Sequence, residues 1–207
     1  MKYQAILGEI KKQTCEALSI VKKLEEITLD KEPKNYEYLT QRLMMNKENG
    51  GCLARDFGIE TNIYKPCVVY DNAAETLGIE ICKQDDMVII DLPFILPKKK
   101  YKKNQFVCDP LRHKFEQAKR EYNLKFNEKV VICIVHVYAD ENSKLRCHDF
   151  DNIESKKIID IVALYTIKDD SPMYCDVYQT MQLGRENKTR IIVLPKSSFC
   201  SKFTPTF

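Results

Sequence analysis

The chain has 207 residues, of which 44% are hydrophobic and 30% charged, with a formal net charge of +3. That length supports one sizeable core plus an appendage, and needs neither disulfides nor a structural metal to fold. No stretch approaches the roughly 20 consecutive apolar residues of a membrane span, which excludes an integral helical membrane protein. The opening MKYQAILGEIKK lacks the basic start, continuous apolar run and small-residue cleavage site of a secretion signal. Nine scattered cysteines with no Cys-x-x-Cys pair read as reduced thiols, mostly small core residues, of a cytoplasmic protein.

Residues 2 to 28 space Tyr3, Leu7, Ile10, Ala17, Val21 and Leu24 at threes and fours, broken only by Thr14, which predicts an amphipathic helix. Pro33 opens a second helix to about Asn46, with Tyr36, Leu39 and Leu43 on one side, and Asn49-Gly50-Gly51 ends it. Residues 1–50 thus form a helical hairpin, which either packs on the rest of the chain or serves as an element for dimerisation or a partner. Residues 51–84 alternate short apolar pieces with Gly, Pro and Asn and read as a connector.

From Asp85 the pattern sharpens. Met87 to Leu92 is a strand, Pro97 to Lys103 a basic loop, and Asp109-Pro110 opens a helix to about Tyr122. Between Lys98 and Arg120 stand nine basic residues against two acidic ones, a local balance of +7. Such a patch is either a solvated loop and helix face or an electrostatic footprint for phosphate. Lys129 to Tyr138, nearly all apolar and β-branched, reads as a central strand buried on both faces. A polar loop, a helix from Ile153 to about Leu164, a strand from Met173 to Gln182, a turn and a strand from Thr189 to Leu194 follow. The order predicts an α+β two-layer domain over 85–195, a small mixed sheet with helices on one face, and a polar, aromatic tail over 196–207.

Four aspartates flank the helix that begins at Ile153. Asp149 and Asp151 precede it, and Asp169 and Asp170 follow its exit. Singly, each pair is ordinary helix-cap or turn chemistry. Converging, they would repel one another unless a cation stood between them, and a hard, oxygen-seeking ion such as magnesium suits them best, with manganese as a substitute. His113 lies on the basic helix, His136 within the central strand as a core or sheet-surface residue, and Cys147-His148-Asp149 is the one tight grouping of metal-ligand types. No phosphate loop, serine elbow or zinc-protease motif is present.

Asp149-x-Asp151-Asn152, a helix, and Asp169-Asp170 before a strand resembles the RusA family of Holliday junction resolvases, whose pattern is Asp-x-Asp-Asn, a helix and Asp-Asp about twenty residues on. The preceding strand into Leu92-Pro93, basic loop, helix and β-branched strand match in order, so the resemblance covers roughly residues 86 to 195. It implies a homodimeric, magnesium-dependent endonuclease acting on branched DNA in recombination or repair. On this sequence the metal ligands would be Asp149, Asp151 and Asp170 with Asp169 beside them. Lys156 and Lys157 would stand for the catalytic lysine, and Lys98, Lys99, Lys100, Lys102, Lys103 and Arg112 would grip DNA. Three departures matter. Ser155 occupies the family's usual lysine position and Asp160 falls one place beyond its helix aspartate, while residues 1–84 have no counterpart in compact members. The alternatives are a catalytically silent relative that binds nucleic acid or protein, and an unrelated α+β domain whose aspartates are caps and turns, with the carboxylates of Asp149 and Asp170 about 10 Å or more apart.

Overall fold

A computed structural model describes residues 2–27, 31–96, 105–139, 150, 153 and 155–202. They divide into two compact units, Met1–Tyr70 and Asp71–Phe207.

In the first unit, α1 (Lys2–Glu26) and α2 (Pro33–Glu60) pair as a hairpin. The side of α1 turned to α2 carries Gln13, Glu16 and buried Ile20. Arg42 donates to Glu16 Oε1 at 2.6 Å, and buried Asn46 donates through Nδ2 to Gln13 Oε1 at 2.8 Å. The seam is therefore rotated from the expected stripe, and Tyr3, Leu7 and Val21 are exposed beside it. The second helix also outruns its expected end. Asn49-Gly50-Gly51 lies inside α2, because Leu39, Leu43, Asn46, Gly50, Leu53 and Phe57 continue one face at threes and fours. Pairing with α1 offsets the roughly 1 kcal/mol that each interior glycine costs.

The expected connector is likewise structured: α2 continues through it, α3 (Pro66–Thr76) follows, and β1 (Glu80–Gln84) opens the sheet. A two-residue turn, with Asp85 at φ 51, joins β1 to β2 (Met87–Leu92). Then come α4 (Gln105–Glu121), β3 (Val130–Tyr138), α5 (Lys156–Thr166), β4 (Cys175–Leu183), β5 (Lys188–Pro195) and α6 (Lys196–Lys202). The protein is α+β. Among the described residues five strands lie in the order β1-β2-β5-β3-β4, antiparallel except for β3 against β4, so the sheet is mixed.

Every residue of β3 is buried, as the apolar run predicts. Val130, Ile132, Ile134 and His136 face a core completed by Phe115 and Leu111 of α4 and Ile158, Ile161 and Val162 of α5. Val131, Cys133, Val135 and Val137 face the other way, against Ile192, Leu194 and Phe199. The expectation of helices on one face thus holds for α4 and α5. The segment read as a tail supplies α6 to the opposite face, where Phe199 meets Tyr178 edge-on at 5.6 Å and Ser198 Oγ donates to Asp86 at 2.7 Å. Two more boundaries move. The fourth helix begins a turn before Asp109-Pro110, leaving Pro110 inside α4, and α5 begins at Lys156 rather than Ile153. Among the described cysteines, Cys108, Cys133 and Cys175 are buried, whereas Cys15 and Cys67 are exposed.

Directly after β4, Gly184 donates its N–H to the Tyr138 carbonyl at 2.9 Å. A Cβ there would stand 2.5 Å from Val137 Cγ1, inside a packed face of the sheet. Gly184→Ala is expected to destabilise the chain by about 1–3 kcal/mol, read as a lower urea midpoint at unchanged slope.

Candidate metal and nucleic-acid site

The strand–helix–strand unit β3–α5–β4 carries the motif. At the entrance to α5, the Ile153 N–H donates to the Phe150 carbonyl at 3.2 Å and the Ser155 N–H to the Ile153 carbonyl at 3.0 Å. Ile153 is fully buried. Ser155 sits at the N-cap but its side chain does not cap the helix; instead Gln179 Nε2 of β4 donates to its Oγ at 3.4 Å. The residue at the position where RusA resolvases have a lysine is thus a buried hydroxyl turned onto the sheet. Lys156 and Lys157 are exposed on the first turn. The helix dipole is already positive there, so two cations are unfavourable without a neighbouring anion.

At the exit of α5, Lys125 performs the capping. Its Nζ donates to the carbonyls of Leu164 at 2.8 Å and Ile167 at 2.6 Å, and burial lowers its pKa. The chain then turns through Asp169 and Asp170 into β4, and the Cys175 thiol reaches the Asp170 carbonyl at 3.4 Å. Asp160, Asp169 and Asp170 share with Lys125 and Lys168 a shallow cleft of about 430 Å³.

These contacts fix the two ends of α5 against β4. Ser155 lies beside Gln179 and Asp170 beside Cys175, four residues apart on the strand, a separation of about 13 Å. The helix itself rises about 16 Å. Asp169 and Asp170 therefore stand at the opposite end of α5 from Ser155, and the turn after α5 carries them to the start of β4 rather than back along it. Asp149, Asp151, Asn152 and His148 lie outside the described residues, as do Lys98, Lys99, Lys100, Lys102 and Lys103. Among the described residues, no three His, Cys, Asp or Glu side chains come close enough to hold an ion. Asp169 and Asp170 offer hard oxygen donors of the kind magnesium takes, and a complete ligand set needs the first pair as well.

Part of the basic balance is compensated internally. Arg112 is exposed on α4 but lies 3.9 Å from Asp109, and Lys119 pairs with Glu116. His113 is engaged with Asp71 at 2.8 Å, and Gln117 donates to the same carboxylate. His136 is fully buried and stacked on Phe150, with centroids 5.8 Å apart, so it belongs to the core.

Sequence reasoning missed one cluster where α4 and α5 pack against each other. The Phe115 and Tyr165 rings stack at 4.8 Å, and the Tyr165 hydroxyl donates to Glu116 Oε1 at 2.8 Å. Burial, then the bond to Glu116, pushes the phenol up to about 12, while Lys119 and then Tyr165 hold Glu116 below the usual carboxylate range. The partners lie 49 residues apart, and no local pattern announces such a pair. Losing this hydrogen bond in Tyr165→Phe should cost about 1 kcal/mol at neutral pH. The raised phenol pKa stabilises the native state fully below the ordinary value of 10, and this contribution is lost as pH rises toward 12. Wild-type stability should fall over that window more steeply than that of the variant, so their difference narrows in urea titrations taken at successive pH values.

Comparison with known proteins places the chain in a family. A family of unknown function (DUF6100) matches residues 2–204, and the chain belongs to it. No curated protein matches the sequence. Among solved structures, the periplasmic domain of Helicobacter pylori MotB is similar at a TM-score of 0.34 and 12% identity, over 62% of this chain and 91% of that one. At that level the likeness carries no argument about fold or function.

Proposed function

We propose that this family member is a magnesium-dependent endonuclease that hydrolyses phosphodiester bonds in branched DNA, acting as a pair of identical chains in the cytoplasm. One observation carries the reading: Asp149-x-Asp151-Asn152 and Asp169-Asp170 bracket the crossover helix between two parallel neighbouring strands, in the order and spacing that resemble RusA resolvases. The proposed ligands are Asp149, Asp151 and Asp170, with Asp169 beside them, a set that requires the segment before Ser155 to bring the first pair across the roughly 13 Å that separate Ser155 from Asp170. When bound, the ion's chemistry is to acidify a coordinated water and offset the charge that grows on the scissile phosphate. Lys156 and Lys157, exposed on the first turn of α5, are assigned to orient that phosphate, where it also meets the positive end of the helix dipole. Lys98 to Lys103 and Arg112 are assigned to the flanking backbone, contacts that position DNA without reading its sequence.

A second reading, a relative that binds nucleic acid or protein without cutting, is favoured by Ser155. A buried hydroxyl bonded to Gln179 supplies no cation where the resolvases have a lysine.

Incubating a synthetic four-way junction and a linear duplex with the chain, in magnesium or EDTA, separates the two. The nuclease reading expects magnesium-dependent nicking of the junction that falls by at least about a hundredfold in Asp151→Asn and Asp170→Asn, the scale on which essential catalytic groups act. Junction binding without nicking establishes the second reading. Nicking that survives Asp170→Asn would confine the ligands to the first pair.

A further inference from the structure

Among the described residues β4 is one edge of the sheet and, Asp176 apart, carries none of the devices that usually blunt an edge. Its nine residues, Cys175-Asp-Val-Tyr-Gln-Thr-Met-Gln-Leu183, include no proline, glycine or lysine, and among the described residues β4 pairs only with β3. The opposite edge, β1, is five residues long and bears Glu80 and Lys83. Val177, Tyr178, Met181 and Leu183 are all exposed on β4. A long, unprotected edge with exposed apolar side chains is a template for another strand.

Two hydrogen bonds fix which backbone groups are offered. The Tyr174 carbonyl accepts from the Val130 N–H, and the Gly184 N–H donates to the Tyr138 carbonyl. In a parallel pair, alternate residues direct both backbone groups at the neighbour. Even-numbered residues of β4 therefore bond β3, and the N–H and C=O of Val177, Gln179 and Met181 point outward.

That outward row is self-complementary. A second β4 laid antiparallel about a two-fold axis through Gln179 puts Gln179 opposite Gln179, Val177 opposite Met181 and Leu183 opposite Cys175 on the helix-covered face. On the other face Tyr178 meets Thr180 and Gln182 meets Asp176. Outward-facing residues meet outward-facing residues, Val177 and Leu183 meet the apolar Met181 and Cys175, and no like charges oppose. Asp176, the one charge in the strand, is engaged by Lys129 at 2.7 Å and Lys196 at 2.6 Å. We infer that β4 is the dimer interface, joining two copies of the chain through an antiparallel β4–β4 pair into one continuous ten-stranded sheet. The inference deepens the proposed function by giving the paired nuclease its contact surface, and rests on that reading only for the expectation of a pair.

Light scattering on the full chain tests it. The wild type should weigh two copies. Val177→Lys with Met181→Lys opposes lysines across the axis and should weigh one, whereas Val177→Lys with Met181→Glu opposes Lys to Glu and should weigh two. A one-copy wild type, a Lys/Lys variant that stays paired, or a Lys/Glu variant that separates as the Lys/Lys variant does would each overturn the interface. Amide exchange on the wild type needs no substitution: protection at Val177, Gln179 and Met181 should grow with protein concentration, and concentration-independent exchange there would also overturn it. Mass and exchange read the interface while junction nicking reads the carboxylates; a one-copy wild type would also remove the pair from the proposed function, whereas a Lys/Lys variant that stays paired would overturn the interface alone.

Discussion

The second unit depends on covering both faces of β3 at once. A nine-residue strand with every side chain buried cannot lie at a surface, so it demands hydrogen-bonded neighbours on both sides and apolar cover above and below. β5 and β4 meet the first demand, and α4, α5 and the Phe199 end of α6 contribute to the second. Because α5 must lie along β3 to bury Ile158, Ile161 and Val162, its two ends are held apart on β4. The distance between Ser155 and Asp170 is thus a by-product of core packing.

What was legible in the sequence followed local periodicity. The unbroken β-branched run announced β3 and its double burial, and the hairpin of α1 and α2 was visible in apolar spacing. β1 was hidden because Glu-Ile-Cys-Lys-Gln holds too few apolar residues to separate from a connector, and only its pairing with β2 makes it a strand. The continuation of α2 was hidden by Gly50 and Gly51, whose cost is offset by a partner helix that no local window contains. The rotation of the α1 seam escaped for a related reason: Tyr3, Leu7 and Val21 keep helical spacing too, and only α2 decides which of two adjacent stripes is covered.

For the candidate site, residue type and order were legible and convergence was not. The four aspartates, two lysines and Ser155 can be named from the chain alone, and the helix between the acidic pairs is where the sequence puts it, to within three residues. Where carboxylates sit relative to one another depends on packing across the sheet. The Gln179 bond to Ser155 and the Lys125 cap on α5 are contacts over 24 and 39 residues that no spacing reveals.

The position of β5 has a consequence for how the chain is made. The last strand in sequence lies in the middle of the sheet, between β2 and β3, with Asp91 and Arg190 forming a two-pronged ion pair at 2.7 Å directly across the β2–β5 register. During synthesis β1–β2 and β3–β4 emerge as separate ribbons, each with an open inner edge that only residues 188–195 can fill. Nucleation of the whole sheet waits on contacts about a hundred residues apart, the kind of topology that folds slowly and leaves sticky edges exposed meanwhile. A nascent chain stalled before β5 would present those edges to the cell, and chaperone dependence would be greatest there.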